Sequence, residues 1–127
     1  MRSGTMTAVF LLGISTTAHA QQILSGGPLF AGPSQAVVVC YIYNSGTTPL
    51  GLSGTQLANQ FGSVLPFSVN QCEATLLPGR ACGVAANIAN NLPYTCKTVV
   101  SPNKNTARGV LELRNGSQVS LTNVELR

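Results

Sequence analysis

The stretch Gln35–Asn44, with the sequence QAVVVCYIYN, decides the fold class of this chain. It is almost continuously apolar and rich in β-branched and aromatic residues, a composition that is typical of a strand. The residues Asn44-Ser45-Gly46 at its end form a turn signal. Because the apolar run is nearly unbroken, we expect this stretch to be a central strand of a sheet.

Shorter runs of the same kind follow along the chain, and frequent Gly and Pro residues interrupt any helical periodicity. Apolar or alternating runs between turn signals predict antiparallel strands. The segment 21–34 contains two Gly-Pro pairs, so we expect an irregular lead-in with a short edge strand. The pattern predicts an all-β antiparallel sandwich of about seven strands, the six besides 35–44 being 49–53, 66–70, 81–89, 94–100, 107–114 and 117–126.

Residues 1–20 have the organisation of a cleaved signal peptide. Arg2 lies in a short basic region, residues 8–14 form an apolar stretch, and Ala18-His19-Ala20 fits the small-x-small cleavage pattern. The apolar stretch is shorter than the roughly 20 residues that a membrane span needs. We therefore expect residues 21–127 to form one exported domain, periplasmic or extracellular, with no membrane span in the mature chain.

The composition lacks the residues that most catalytic mechanisms require. Charged residues make up 8% of the chain, against about 25% in an ordinary soluble domain. The sequence has no Asp, and its single His is His19, inside the predicted signal peptide. A Ser-His-Asp triad cannot form without these residues, and paired-carboxylate chemistry has only Glu73, Glu112 and Glu125 to draw on. We predict no catalytic residue and no enzyme, with a small hydrolase as the unfavoured alternative.

The four cysteines are the most informative residues. An even number in an exported chain implies two disulfides, for which three connectivities exist. A metal site would require paired Cys-x2-Cys spacings or His ligands, and residues 21–127 have neither, so no metal and no cofactor are expected. We favour Cys40–Cys96, between two strand centres, and Cys72–Cys82, on either side of a Pro78-Gly79 turn signal.

The charge of the mature chain indicates which classes of partner it can bind. Cleavage removes Arg2 and leaves six basic residues against three Glu, so the net charge falls from +4 to +3. The basic residues are scattered without interleaved aromatics, which argues against nucleic acid as a partner.

Tyr41, Tyr43 and Tyr94 are a possible ligand surface, although such residues are often half-buried strand positions. Few charges lie on the strands to guard an edge, so self-association through an edge strand is also expected.

The segment Arg114-Asn115-Gly116-Ser117 predicts the last hairpin. A two-residue turn would pair Glu112 with Val119, whereas a three-residue loop would pair Leu111 with Val119 and place Leu121 on the same face. A slip of one residue reverses every side chain. We favour the second register because it buries more apolar surface.

Part of the second half resembles a known family. The order is Phe67-Ser68-Val69, Cys72, the run Leu77-Pro78-Gly79-Arg80-Ala81-Cys82-Gly83-Val84, and the alternating stretch 107–113. It resembles the hydin-type (ASH) bacterial Ig-like domains, and the whole chain is similar to small uncharacterised exported bacterial proteins. The resemblance implies an Ig-like sandwich and brings no catalytic residue.

These observations together favour an exported, non-enzymatic binding, adhesion or envelope-structural module. Its expected partner is an envelope or extracellular protein, or a glycan. The alternative in the same compartment is a pilin-like subunit that assembles by β-strand addition. An incomplete sandwich that needs a partner's strand would favour the alternative.

Overall fold

The computed structural model describes residues 21–89 and 92–127, and the predicted signal peptide lies outside them. Two antiparallel sheets pack into a sandwich, which confirms the predicted fold class. The described part of the chain has nine strands rather than about seven. The two additional strands are one in the segment 21–34, which was expected to be irregular, and a two-residue strand, Thr75–Leu76. The strands are β1 Gln22–Phe30, β2 Gln35–Asn44, β3 Leu50–Asn59, β4 Val69–Asn70, β5 Thr75–Leu76, β6 Ala81–Asn87, β7 Pro93–Ser101, β8 Ala107–Asn115 and β9 Ser120–Leu126.

The order of the strands places the predicted central strand in the middle of its sheet. The four-stranded sheet has the order β1-β7-β3-β5, and the five-stranded sheet has the order β4-β6-β2-β8-β9. β2 pairs with β6 on one side and with β8 on the other. A short 3-10 turn, Lys104–Thr106, leads into β8. In the described residues no helix is both long enough and apolar enough to span a membrane.

The core lies between the sheets and is built from alternate residues of the central strands. Val38, Cys40 and Ile42 of β2 are fully buried, and they face a row on β7 that includes Cys96 and Val100. Alternation along a strand sends the intervening residues to the opposite face of the sheet. This geometry leaves the side chains at positions 41 and 43 on the outer face.

Both predicted disulfides are present. Cys40 on β2 is bonded to Cys96 on β7, and this bond joins the two sheets through the core. Cys72 is bonded to Cys82 and ties the segment after β4 to β6. Among the described residues no cysteine is free.

Both hairpin registers predicted above are wrong. Leu111 pairs with Val124 and Leu113 with Thr122, and a register shift follows before Arg114 pairs with Ser120. This shift leaves Leu121 as an extra, exposed residue. The register buries Leu126 and packs Val124 against the core. Val119 and Leu121 have the opposite parity to Val124 and Leu126, so a regular strand can turn only one of these pairs towards the core. In the structure Val124 and Leu126 face the core, and Val119 and Leu121 are exposed.

Candidate functional site

Tyr41 and Tyr43 lie together on the outer face of the five-stranded sheet, whereas Tyr94 does not join them. Tyr94 is 1% exposed and belongs to the core. Its hydroxyl donates a hydrogen bond to the carbonyl oxygen of Ala89 at 2.7 Å. A ligand surface formed by all three tyrosines is therefore not present, and the surface that remains is centred on β2.

The ring of Tyr41 is held between the two neighbours of β2. On β6 it lies over Gly83, where an added Cβ would come within 3.0 Å of two ring carbons, Cδ1 and Cε1. On β8 the guanidinium carbon of Arg114 lies 5.5 Å from the ring centroid, a cation–π distance. Nη2 of Arg114 also donates a hydrogen bond to the Tyr41 hydroxyl at 2.9 Å. The absence of a side chain at Gly83 thus allows the ring to lie flat beside a cation.

Arg114 is fixed in turn by Glu112, two residues earlier on the same face of β8. Nε of Arg114 donates to Oε1 of Glu112 at 2.6 Å. This hydrogen bond is the main cause that raises the pKa of Arg114 above its usual value, while burial acts in the opposite direction. Both side chains are partly exposed. The guanidinium therefore stays charged and holds one orientation next to Tyr41.

Tyr43 extends the surface towards the end of the strand. It is 43% exposed and lies opposite Ala81 of β6 and Arg108 of β8. The exposed Val69 of β4 shares this face, since it pairs with Ala85. Because the residues of β6 opposite the two tyrosines are small, Ala81 and Gly83, the surface there is recessed between the larger side chains. We call the set Tyr41, Tyr43, Val69, Glu112 and Arg114 the tyrosine face.

The chemistry available on the tyrosine face is that of non-covalent binding. It offers one exposed aromatic ring, a positioned guanidinium and a carboxylate, which suit stacking and charge-assisted hydrogen bonds. In residues 21–89 and 92–127 no group of three or more His, Cys, Asp or Glu side chains could hold a metal ion. Sequence reasoning identified two of the tyrosines but missed Gly83, Glu112 and Arg114. The alternation of 107–114 was the available signal for the last two, because it places both on one face.

Comparison of the chain with protein-family models, with curated proteins and with solved structures finds no match. The resemblance to ASH domains stays a prediction.

Proposed function

We propose that the mature chain is an exported, non-enzymatic binding module that recognises an envelope or extracellular partner, a protein or a glycan, through the tyrosine face. The observation that carries this proposal is the exposed ring of Tyr43 next to the hydrogen-bonded cluster of Tyr41, Arg114 and Glu112. Tyr and Arg are enriched among the residues that dominate binding energies.

The position of the tyrosine face favours binding as well. Its residues lie on the strands β2, β4 and β8 of one sheet, rather than on a loop. On the opposite side of β2, between the two tyrosines in sequence, Ile42 is fully buried, and the neighbouring Cys40 joins the other sheet. Side chains that are already ordered before binding lose less conformational entropy when a partner docks.

Variants of the exposed ring test the proposal. The oxidised protein with Tyr43→Ser should lose about tenfold or more in partner retention from envelope and culture-medium fractions or on a glycan array, since it removes the exposed aromatic anchor. Phe61→Ser is the matched control, because Phe61 is also exposed but lies in the turn after β3. Equal retention by Tyr43→Ser and the unmodified protein would overturn the role of the tyrosine face, and far-ultraviolet circular dichroism would show that both variants are folded.

A second candidate function, assembly by β-strand addition, is favoured by the edge strand β9. Leu121 is exposed at its start, Val119 is exposed just before it, and Glu125 is its single charged residue. At its other end the edge is closed, because Ser25 of β1 exchanges two backbone hydrogen bonds with Arg127. Strand addition would therefore take place along the first part of β9. Light scattering should then show concentration-dependent association that Leu121→Lys abolishes, whereas a monomer at all concentrations would remove this candidate.

A further inference from the structure

A groove of about 380 Å³ lies at the end of the sandwich where β1, β8, β9 and the 3-10 turn meet. Its floor is apolar and is formed by the buried side chains of Leu24, Ala107 and Leu126. Charged side chains surround that floor. We call the set Lys104, Arg108, Glu125 and Arg127 the cationic groove.

The cationic groove collects half of the basic side chains of residues 21–127: two lie four residues apart in the sequence, and the third, Arg127, follows β9. It holds three cationic side chains and one acidic side chain, that of Glu125. In the part of the chain that the structure describes, the single ion pair is the one between Arg114 and Glu112. Glu125 therefore forms no contact ion pair with the cations around it, and the groove attracts anions.

Hydrogen bonds to neutral groups hold the guanidinium of Arg108 and the backbone of Lys104 and Arg127. The backbone N–H of Lys104 donates to the side chain of Gln22 at 2.8 Å. Nη1 of Arg108 donates to the carbonyl oxygens of Asn105 at 2.6 Å and Ala107 at 2.9 Å. The backbone of Arg127 is fixed by its paired bonds to Ser25. These partners orient the side chains or their backbone without neutralising their charge, and a guanidinium has five N–H donors in all.

The groove adjoins the tyrosine face. Arg108 lies directly opposite Tyr43 in the ladder between β2 and β8. A ligand longer than one ring could therefore place a charged group in the groove and an apolar face against Tyr43. The floor of the groove offers apolar contact to the C–H groups of a sugar, and its volume falls in the range of small-molecule sites.

We propose that the cationic groove binds the carboxylate-bearing ring of an acidic saccharide, a uronate, and that a neighbouring sugar of the same chain packs against Tyr43. The guanidinium groups match a carboxylate in geometry, since each can donate two parallel hydrogen bonds. The second part of this inference rests on the proposed function of the tyrosine face, whereas the first part depends only on the groove.

The binding of galacturonate and of short oligogalacturonates to the oxidised protein, measured by titration calorimetry and chemical-shift perturbation, tests this inference. Galacturonate should bind more tightly than galactose, and added salt should weaken the binding. Lys104→Gln and Arg108→Gln should each weaken it about fivefold or more, and Glu125→Gln should strengthen it several-fold because a repelling charge is removed. Arg80→Gln and Lys97→Gln are matched controls outside the groove, and they should leave the affinity within about twofold.

Three outcomes would overturn the inference. Equal weakening by the control substitutions would show non-specific attraction to net charge, and equal binding of galactose would show that the carboxylate is not recognised. Inorganic phosphate that binds where galacturonate does not would show a site for another anion. Tyr43→Ser separates the two proposals, since it should weaken binding of the oligomer and not of the monomer. If it affects neither while the groove variants do, the groove stands and the role of the tyrosine face fails.

Discussion

Cys40 and Cys96 join the two sheets of the sandwich, with their Cα atoms 6.2 Å apart and both side chains buried. The second disulfide, Cys72–Cys82, lies at the edge of the five-stranded sheet and closes a much shorter segment of chain. The sequence separations are 56 and 10 residues. The two bonds therefore restrict the unfolded chain to different extents.

We expect removal of the disulfide between the sheets to destabilise the protein more. Loop closure over 56 residues corresponds to about 4 kcal/mol of unfolding free energy, and closure over 10 residues corresponds to about 3 kcal/mol. The double variants Cys40→Ala/Cys96→Ala and Cys72→Ala/Cys82→Ala, compared by urea denaturation, check this order. A larger loss for the second variant would show that the bond at the edge also prevents local unfolding of the segment 68–72.

Asn44, at the end of β2, is fully buried, and both polar atoms of its side-chain amide have hydrogen-bond partners. Its Nδ2 donates to the carbonyl oxygens of Thr48 at 2.8 Å and Leu76 at 2.9 Å, and its Oδ1 accepts from the backbone N–H of Gly46 at 2.9 Å. Asn44→Ala should lower the unfolding free energy by about 1–3 kcal/mol, since it leaves the buried carbonyl oxygen of Leu76 without this partner.

Asn105→Ala is the control for Asn44→Ala, because Asn105 is exposed. Its effect should stay within about 0.5 kcal/mol. A change of similar size in both variants, measured by chemical denaturation, would contradict the role given to the buried amide.

Gly83→Ala tests the close contact beneath Tyr41. The new Cβ would lie 3.0 Å from the ring, so the ring and Arg114 must move. We expect a loss of about 1–3 kcal/mol, together with a change in the near-ultraviolet circular dichroism of the tyrosines. Gly116→Ala, where a Cβ would meet no atom within 4 Å, should change stability by less than about 0.5 kcal/mol. An unchanged tyrosine signal in Gly83→Ala would disprove the contact.

The turn between β8 and β9 contains a strained residue. Gln118 has a φ of 64°, a left-handed conformation that costs a residue with a side chain roughly 1–2 kcal/mol. Gln118→Gly should therefore raise the unfolding free energy by up to about 1 kcal/mol, the remainder being offset by the greater freedom of glycine in the unfolded chain. Gln118→Ala keeps the strain and should bring no gain in thermal unfolding experiments. Destabilisation by glycine would show that the Gln118 side chain stabilises the turn.

Processing of the exported chain is tested by its intact mass. We expect a mass equal to residues 21–127 less the four hydrogens that the two disulfides remove. The Ala18-His19-Ala20 pattern supplies the reason. A mass that includes the first 20 residues would mean that the segment is not cleaved there.

The sequence by itself determined the features that depend on local composition. The nearly unbroken apolar run of β2 was sufficient to predict a central strand, and the alternation in 107–114 was sufficient to place Leu111 and Leu113 in the core. For the disulfides the sequence only favoured one of three connectivities, because Cys40 and Cys96 both lie near strand centres with apolar neighbours on the same face, and the structure confirmed it. Strand faces can be predicted from a single sequence because side chains alternate with a period of two residues. Disulfides can be predicted in part because only cysteines form them.

Only the tertiary structure decided which distant residues meet. Lys104, Arg108 and Arg127 look scattered in the sequence, yet the closure of β1 against β9 brings them around one groove. Tyr94 has the same residue type as Tyr41, but it lies on the inward face of β7. The last hairpin contains two apolar pairs that lie on opposite faces, Val119 with Leu121 and Val124 with Leu126. The register of β9 packs Val124 and Leu126 against the core. Each of these outcomes depends on what packs from the opposite sheet or strand, and local sequence patterns do not contain that information.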